Sequence, residues 1–223
     1  MGLAGACMIG LAVWSGCSGP AFAIITAPGV VLTQTDEADS QRIVDKLNGV
    51  HSVRSEFVQN SSNGEIARGE LLLSRPGRLR IDYQPPSPIL IVADGTFLVY
   101  YDKRLEQVSY IPLDSTPAGI LLQDRISLSD GKLTITGFQR SAGTIRLGVT
   151  RTANPGEGSI TLIFDQSSLA LSQWQVTDAQ GVITMVSLVD PQFNVKLDRD
   201  LFQFEDPRPS SSHSPDLSLR TLR

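Results

Sequence analysis

Residues 68–110 read RGELLLSRPGRLRIDYQPPSPILIVADGTFLVYYDKRLEQVSY. This segment contains four β-strand patterns that are separated by proline and glycine turns. In residues 78–83 apolar and polar side chains alternate, so Leu79, Ile81 and Tyr83 share one face of the predicted strand. The segment therefore predicts an antiparallel sheet rather than a helical domain.

The next two strands of this segment are unusual because they are apolar on both faces. Residues 89–93 and 96–101 form a predicted hairpin around the turn Asp94-Gly95. These strands offer more apolar surface than one simple core requires, which favours a hydrophobic container over a catalytic site. Alternation alone does not decide which of the two faces lines the container.

The second half of the chain repeats the strand-and-turn pattern and shows no alternation of strands with long helices. The whole chain then has ten or eleven short strands, which predicts one antiparallel sheet. A sheet of that length must curl strongly or close on itself. The later strands are predicted at residues 133–139, 144–150, 160–164, 169–177 and 182–188.

Two helical segments are available to cover the open side of such a sheet. The first is predicted over residues 39–48, with Ser40 as its N-cap. The second is a short helix with Pro117 at its first position, capped by Ser115 or Thr116. This helix has too much apolar surface for its length and is expected to lie on other apolar groups. Its three consecutive large residues are Ile120, Leu121 and Leu122.

The N-terminus is typical of an exported protein. Residues 1–23 carry no Lys, Arg, Asp or Glu and end in Ala21-Phe22-Ala23, a small-residue cleavage pattern, so we predict a signal peptide there. Cleavage after Ala23 would leave a mature chain without cysteine. The alternative is lipid attachment at Cys17. Residues 24–207 then form one domain, and the Ser- and Pro-rich residues 208–223 are a predicted disordered tail.

Charge and motif content argue against nucleic-acid binding and against catalysis. The chain has 19 basic and 23 acidic residues, a net charge of −4, and no basic footprint. Only His51 and His213 could act as imidazole bases, and the sequence holds no G-x-S-x-G or H-E-x-x-H motif. We therefore expect no catalytic residue, no metal site and no cofactor. The acidic residues Asp198, Asp200, Glu205 and Asp206 are interpreted as a cap and a solvated face.

Several motifs, taken in order and at their spacing, make residues 40–207 resemble the LolA family of periplasmic lipoprotein carriers. None is decisive alone, because Arg-Pro or Asp-Gly pairs are common. They are Phe57-Val58-Gln59, the run GELLLSRPGRLRIDY at residues 69–83, IVADG at 91–95, VYYD at 99–102, Glu106-Gln107, PAGILL at 117–122, and Leu201-Phe202-Gln203-Phe204 followed by Pro207.

The resemblance implies a mainly β (α+β) fold: an unclosed antiparallel β-barrel of about 11 strands, with short α-helices forming a lid over a hydrophobic cavity. One departure concerns the strand after Arg75-Pro76, where better-known members often carry aromatic residues. This chain has Leu79 and Ile81 at those positions, so its cavity is expected to differ in shape.

The resemblance also implies a function. The protein would be a monomeric periplasmic chaperone of a Gram-negative bacterium that binds the acyl chains of lipoproteins. An inner-membrane ABC transporter would load it, and an outer-membrane lipoprotein receptor would take the cargo. Two alternatives stay open: a lipid-anchored receptor of the same fold, which would need Cys17 as its mature N-terminus, and a lipoprotein-sensing regulator.

By the same resemblance, Arg75 is the latch that holds the lid closed by bonding backbone groups near Ile91 and around Leu121 and Leu122. The lid residues implied are Ile120, Leu121, Leu122 and Ile91. The predicted lipid-binding cavity consists of Leu71, Leu73, Leu79, Ile81, Tyr83, Phe97 and Val99.

Overall fold

The computed structural model describes Val30 and residues 32–207 and contains one antiparallel sheet of eleven strands. The strands lie in the order β6-β5-β4-β3-β2-β1-β11-β10-β9-β8-β7, and within the described residues β6 and β7 are its two edges. The predicted open, mainly β fold is confirmed. The strands are β1 Ser52–Ser61, β2 Ile66–Ser74, β3 Arg78–Tyr83, β4 Ile89–Asp94, β5 Phe97–Asp102, β6 Gln107–Pro112, β7 Leu133–Ser141, β8 Thr144–Arg151, β9 Gly158–Asp165, β10 Leu171–Asp178 and β11 Ile183–Phe193.

Neighbouring strands are mostly consecutive in the chain, because short turns join them as hairpins. The exception is the pairing of β1 with β11, which joins the first half of the sheet to the second. Two α-helices, α1 at Gln34–Asn48 and α2 at Ala118–Leu121, pack on the sheet. None of the helices in the described part of the chain is long and apolar enough to cross a bilayer.

Helix α1 begins earlier than the sequence pattern predicted. Thr33 is its N-cap: the Thr33 hydroxyl accepts a hydrogen bond from the Asp36 amide, and the Asp36 carboxylate accepts one from the Thr33 amide. This reciprocal capping box satisfies two backbone N–H groups at the helix start. The predicted N-cap Ser40 instead lies inside the helix on its buried side, because the capping box at Thr33 starts the helix earlier.

Each side chain of β2 to β5 points to one of the two faces of the sheet. The strand register shows which face, because directly paired residues of antiparallel strands point to the same face. Leu79 pairs with Leu73 and with Ala93, and Ala93 pairs with Leu98. We call the face that carries these residues the inner face, because α1 and α2 pack against it. Leu72, Arg80, Val92 and Val99 form a matching row on the outer face.

The inner face and the two helices form one continuous apolar core. It includes Ile43, Val44 and Leu47 from α1 and extends to Trp174 and Val186 at the other half of the sheet. Six further buried residues from strands β1, β2, β8 and β9 complete its centre: Phe57, Leu71, Leu147, Val149, Ile160 and Leu162.

The outer face of β3 to β5 is covered as well, by the end of the described chain. A 3₁₀ turn at Arg199–Phe202 buries Phe202, and the Leu201 carbonyl accepts a hydrogen bond from Arg80 Nη1 at 3.2 Å. Phe204 packs edge-on against Tyr101, with ring centroids 5.5 Å apart. This cover explains why β4 and β5 are apolar on both faces.

Three predictions concern residues outside the described part of the chain. They are the signal peptide at residues 1–23, lipid attachment at Cys17 and the disordered tail at residues 208–223.

Candidate functional site

Arg75 lies where β2 ends and the chain turns into β3, and its side chain points into the protein. The residue is only 7% exposed. Its Nε donates a hydrogen bond to the Leu121 carbonyl at 2.9 Å, and its Nη1 donates one to the Leu47 carbonyl at 2.8 Å. One guanidinium therefore connects α2 to the C-terminal end of α1.

Burial lowers the pKa of Arg75 to about 10, while the nearby Asp124 acts in the opposite direction. The guanidinium is still charged at neutral pH, so both hydrogen bonds are charge-assisted. The Leu121 contact agrees with the partner implied by the resemblance. The second partner is Leu47 of α1 rather than a group near Ile91. Leu47 lies 28 residues before Arg75, and no local sequence pattern predicts a contact over that separation.

The segment around α2 packs on the sheet through its apolar side chains, and Ile120, Leu121 and Leu122 are all buried in the core. The Thr116 hydroxyl accepts a hydrogen bond from the Gly119 amide at 3.1 Å. Helix α2 begins at Ala118, so Pro117 is its N-cap rather than its first residue as predicted. The Gly77 amide donates to the Leu122 carbonyl at 2.8 Å. Thus α2 is held by a few hydrogen bonds and by burial of its apolar side chains.

Ile91 is not part of this helical layer. It lies on β4, where it pairs with Ile81 and points to the inner face, half-buried against the core. Its assignment to the lid is therefore corrected: Ile91 belongs to the wall that the helices cover.

Five of the seven predicted cavity residues share the inner face, and two do not. Val99 pairs with Val92 and lies on the outer face. Phe97, in the same alternation, is 40% exposed and packs edge-on against Tyr110, with ring centroids 6.3 Å apart. Phe97 and Val99 therefore do not share a face with the other predicted cavity residues. The five on the inner face are Leu71, Leu73, Leu79, Ile81 and Tyr83.

Leu98 and Ala93 take the inner-face positions on β5 and β4. Sequence reasoning did not select them because both faces of these strands are apolar. The signal that could have found them is the register of the Asp94-Gly95 hairpin, counted from the clear alternation of β3.

A small apolar cavity lies at the C-terminal end of α1, beside the Arg75 contact to Leu47. Its volume is about 370 Å³. Because Leu47 forms part of its wall, a movement of α1 would change its size. The large apolar residues around it are Leu47, Val50, Phe164, Leu169, Leu171 and Phe193.

The N-terminal end of α1 is fixed by a separate polar cluster that sequence reasoning missed. Arg140 of β7 forms ion pairs with Asp36 and, at 2.6 Å, with Asp39. The guanidinium also lies over the Phe138 ring, 4.8 Å from its centroid. Hydrogen bonds from Thr33 and Arg140 lower the pKa of Asp36, and the Arg140 hydrogen bond is the main cause of the lowered pKa of Asp39. We call this cluster the α1 clasp.

Replacing Arg140 with methionine should loosen the start of α1 at neutral pH, because two carboxylates lose their partner. Hydrogen exchange at the first two turns of α1 measures this as lost protection. In the wild type the carboxyl pKa values lie below the ordinary 3.8. The contribution of the clasp is therefore complete above about pH 4 and is lost as the pH falls further. The wild type and the variant should accordingly converge only below the lowered pKa values of Asp36 and Asp39.

Arg42→Met provides the matched control for this prediction. Arg42 also contacts Asp39, at 3.3 Å, but its side chain is 70% exposed, and such pairs contribute little. Equal protection of α1 in Arg140→Met and Arg42→Met at pH 7 would contradict a role for the clasp.

An open antiparallel sheet whose apolar inner face is covered by two helices defines a lidded half-barrel, a class of binding protein. Among the described residues there is no group of three or more His, Cys, Asp or Glu side chains that could hold a metal ion. The chain belongs to the LolA family: residues 48–205 match the family described as "Outer membrane lipoprotein carrier protein LolA". Proteins of this family are carriers and not enzymes, which confirms the expectation of a non-catalytic protein.

Two relatives are described as outer-membrane lipoprotein carrier proteins. The protein from Legionella pneumophila (strain Paris) is 31% identical over 179 residues, which cover 77% of this chain and 88% of the relative. The protein from Cupriavidus necator is 30% identical over 211 residues, covering 87% and 93%. Among solved structures, a LolA superfamily protein from Nitrosomonas europaea superposes with a TM-score of 0.41 at 11% identity, covering 74% of this chain and 97% of that one.

Proposed function

We propose that this protein is a periplasmic carrier that binds the acyl chains of lipoproteins released from the inner membrane and delivers them to an outer-membrane receptor. Membership of the LolA family supports a carrier of lipoproteins. The observation that carries the proposal is the bridge from Arg75 to Leu47 and Leu121, which fastens two helices over an apolar inner face.

The physical task of such a carrier is to hide acyl chains from water. Burial is favourable by about 0.8 kcal/mol for each methylene, so a chain of about 15 methylenes would gain roughly 12 kcal/mol if fully buried. A site that bound every methylene without an opposing term would not release its cargo. The helical layer provides that opposing term, because it must leave the inner face before acyl chains can replace it.

Closing the empty protein restores two contributions that the loaded protein lacks. The apolar side chains Ile120, Leu121 and Leu122 return to the core. Arg75 regains its two hydrogen bonds, and a hydrogen bond to a charged group contributes about 1.5–3 kcal/mol. Release is therefore partly driven by lid closure, and transfer without nucleotide requires only a receptor with higher affinity. In this scheme Arg75 acts as the latch, and the carrier works as a monomer between an ABC transporter and the receptor.

The test is release of a lipoprotein from inner-membrane spheroplasts by the purified mature protein. We expect a soluble one-to-one complex that size exclusion separates from membranes, whereas serum albumin, a general fatty-acid binder, should release none. Absence of such a complex would overturn the carrier function. Mass spectrometry of the mature protein separates the anchored alternative: a free Ile24 supports the carrier, and a diacylglyceryl-modified Cys17 supports a receptor.

A further inference from the structure

The inner face is apolar near Arg75 and becomes polar at its opposite end. Tyr83 lies four residues along β3 from Leu79, a distance of about 13 Å. There its hydroxyl donates a hydrogen bond to Gln59 Oε1 at 2.6 Å. Tyr100 points to the same face, since it pairs with Ile91, and it is 39% exposed. We call Gln59, Tyr83 and Tyr100 the polar end of the inner face.

The Tyr83–Gln59 pair is rigidly supported. Gly69 pairs directly with Tyr83. A side chain at Gly69 would meet the Phe57 ring at 2.8 Å and the Asp82 carbonyl at 2.0 Å. The missing side chain lets Phe57 pack edge-on against Tyr83, with ring centroids 5.3 Å apart. The glycine thus creates the space in which Tyr83 is held against Gln59.

Two hydrogen-bond donors of the polar end have no acceptor among the described residues. Tyr83 engages only the oxygen of the Gln59 amide, and within residues 32–207 no group accepts a hydrogen bond from Gln59 Nε2. The Tyr100 hydroxyl likewise has no acceptor in that range. Burial, and after it Tyr100, raises the pKa of Tyr83 to about 12, and burial is the main cause of the raised pKa of Tyr100. Both phenols therefore keep their protons at neutral pH.

We propose that Gln59 Nε2 and the Tyr100 hydroxyl bind the ester carbonyl oxygens of the diacylglyceryl group on a lipoprotein, with Tyr83 as the residue that positions the Gln59 amide. The inference rests on the proposed carrier function and adds an orientation to it. The glycerol esters sit at the polar end, and the acyl chains extend past Ile81 and Ile91 towards Leu79 and Arg75. An ester carbonyl that is buried without a donor loses its hydrogen bonds to water and gains none in return. The lipid is therefore bound most favourably with its esters at the polar end and its acyl chains on the apolar part of the inner face.

The experiment compares two synthetic diacylated cysteine lipopeptides with identical chains, one with ester and one with ether linkages. The ether lacks the carbonyl acceptors but keeps the apolar part. The wild-type protein should bind the ester about three- to tenfold more tightly, the effect of one neutral hydrogen bond or slightly more. Gln59→Leu and Tyr100→Phe should each reduce this preference, and the double variant should abolish it. Affinity for the ether should stay unchanged throughout.

Tyr110→Phe is the matched control, because Tyr110 is an exposed tyrosine on the outer face and its variant should keep the full preference. Gln59→Glu covers the case in which Gln59→Leu does not fold, since it preserves an acceptor for Tyr83 and replaces the amide donor with a negatively charged oxygen, which repels an ester carbonyl. Tyr83→Phe should lower the ester preference without changing ether binding, which a purely structural role would not do.

The outcomes separate this inference from the function on which it rests. If the wild-type protein binds neither lipopeptide, both the carrier function and this site are wrong. If it binds ester and ether equally, or if the double variant keeps the preference, the carrier function stands and the site is wrong.

Discussion

Replacing Arg75 with leucine should leave a folded protein that accepts lipoprotein and then holds it about ten- to a hundredfold more tightly than the wild type. The reason is that release reforms the bonds from Arg75 to Leu47 and Leu121. Each is a hydrogen bond to a charged group that contributes about 1.5–3 kcal/mol, and the cost of burying the charge again offsets about half of their sum. Without these bonds the closed empty protein is less stable relative to the loaded protein, so release of the cargo is less favourable. The measurement is transfer of a labelled lipoprotein from the loaded carrier to outer-membrane vesicles.

The variant should stay folded because the substitution also removes an energetic cost. Arg75 is almost fully buried, and burial of its charge is unfavourable, as the lowered pKa shows. A leucine at this position would pack against an apolar neighbourhood and remove that penalty, although two carbonyls lose their donors. Thermal unfolding and circular dichroism of Arg75→Leu check this directly.

Two further variants make the experiment specific. Arg75→Lys keeps the charge but loses the planar fork that reaches two carbonyls at once, so it should transfer cargo at an intermediate rate. Arg68 lies on the same strand, exposed and without a charged partner among the described residues, and Arg68→Leu should transfer at the wild-type rate. A latch function for Arg75 is refuted if Arg75→Leu delivers its cargo as fast as Arg68→Leu.

The success of sequence reasoning along this sheet depended on whether one face of each strand carries polar side chains. In β3 the outer positions Arg78, Arg80 and Asp82 are polar, so the alternation identified Leu79 and Ile81 as inner-face residues correctly. In β4 and β5 the outer face is covered by the segment that contains Phe202 and Phe204, so alternation disappeared. That is why Phe97 and Val99 were grouped with residues of the opposite face.

Contacts between distant segments were the second limit. The bond from Arg75 to Leu121 followed from a family resemblance, whereas the bond to Leu47 and the ion pairs of Arg140 with α1 have no local pattern. Arg140 and Asp36 are 104 residues apart in sequence. Charged residues of opposite sign are common in any chain, so only the folded arrangement shows which of them meet.

The N-cap of α1 was predicted about two turns too late. Thr33 followed three residues later by Asp36 is a reciprocal cap in the structure, whereas Ser40 was selected because it lies just before the first strong apolar residues. Because α1 begins at Gln34, Asp36 and Asp39 lie on the helix, where their carboxylates contact Arg140. The length of α1 thus decides whether the α1 clasp can form at all.

Replacing Gly119 with alanine should lower the free energy of unfolding by about 1–3 kcal/mol, the usual effect of overpacking a well-packed site. Gly119 lies in α2, and an added Cβ would be 2.2 Å from the Leu113 carbonyl oxygen and 2.9 Å from Arg151 Nη2. Backbone cannot move aside as a flexible side chain can, so α2 must lift from the 3₁₀ turn at Leu113–Ser115. The lifted helix should expose apolar surface and raise the binding of a hydrophobic dye by the empty protein.

The sign of this effect is what makes the prediction decisive. Intrinsic helix propensity favours alanine over glycine by about 1 kcal/mol. If α2 made no close contact with the Leu113 turn, Gly119→Ala would therefore stabilise the protein. Gly156 provides the matched control, because a Cβ there would meet open space, and Gly156→Ala should change neither stability nor dye binding. If urea unfolding shows Gly119→Ala to be as stable as Gly156→Ala, α2 does not rest closely on the Leu113 turn. Destabilisation with increased dye binding would instead show that the closed lid is a tightly packed state, which must be actively disrupted before cargo can enter.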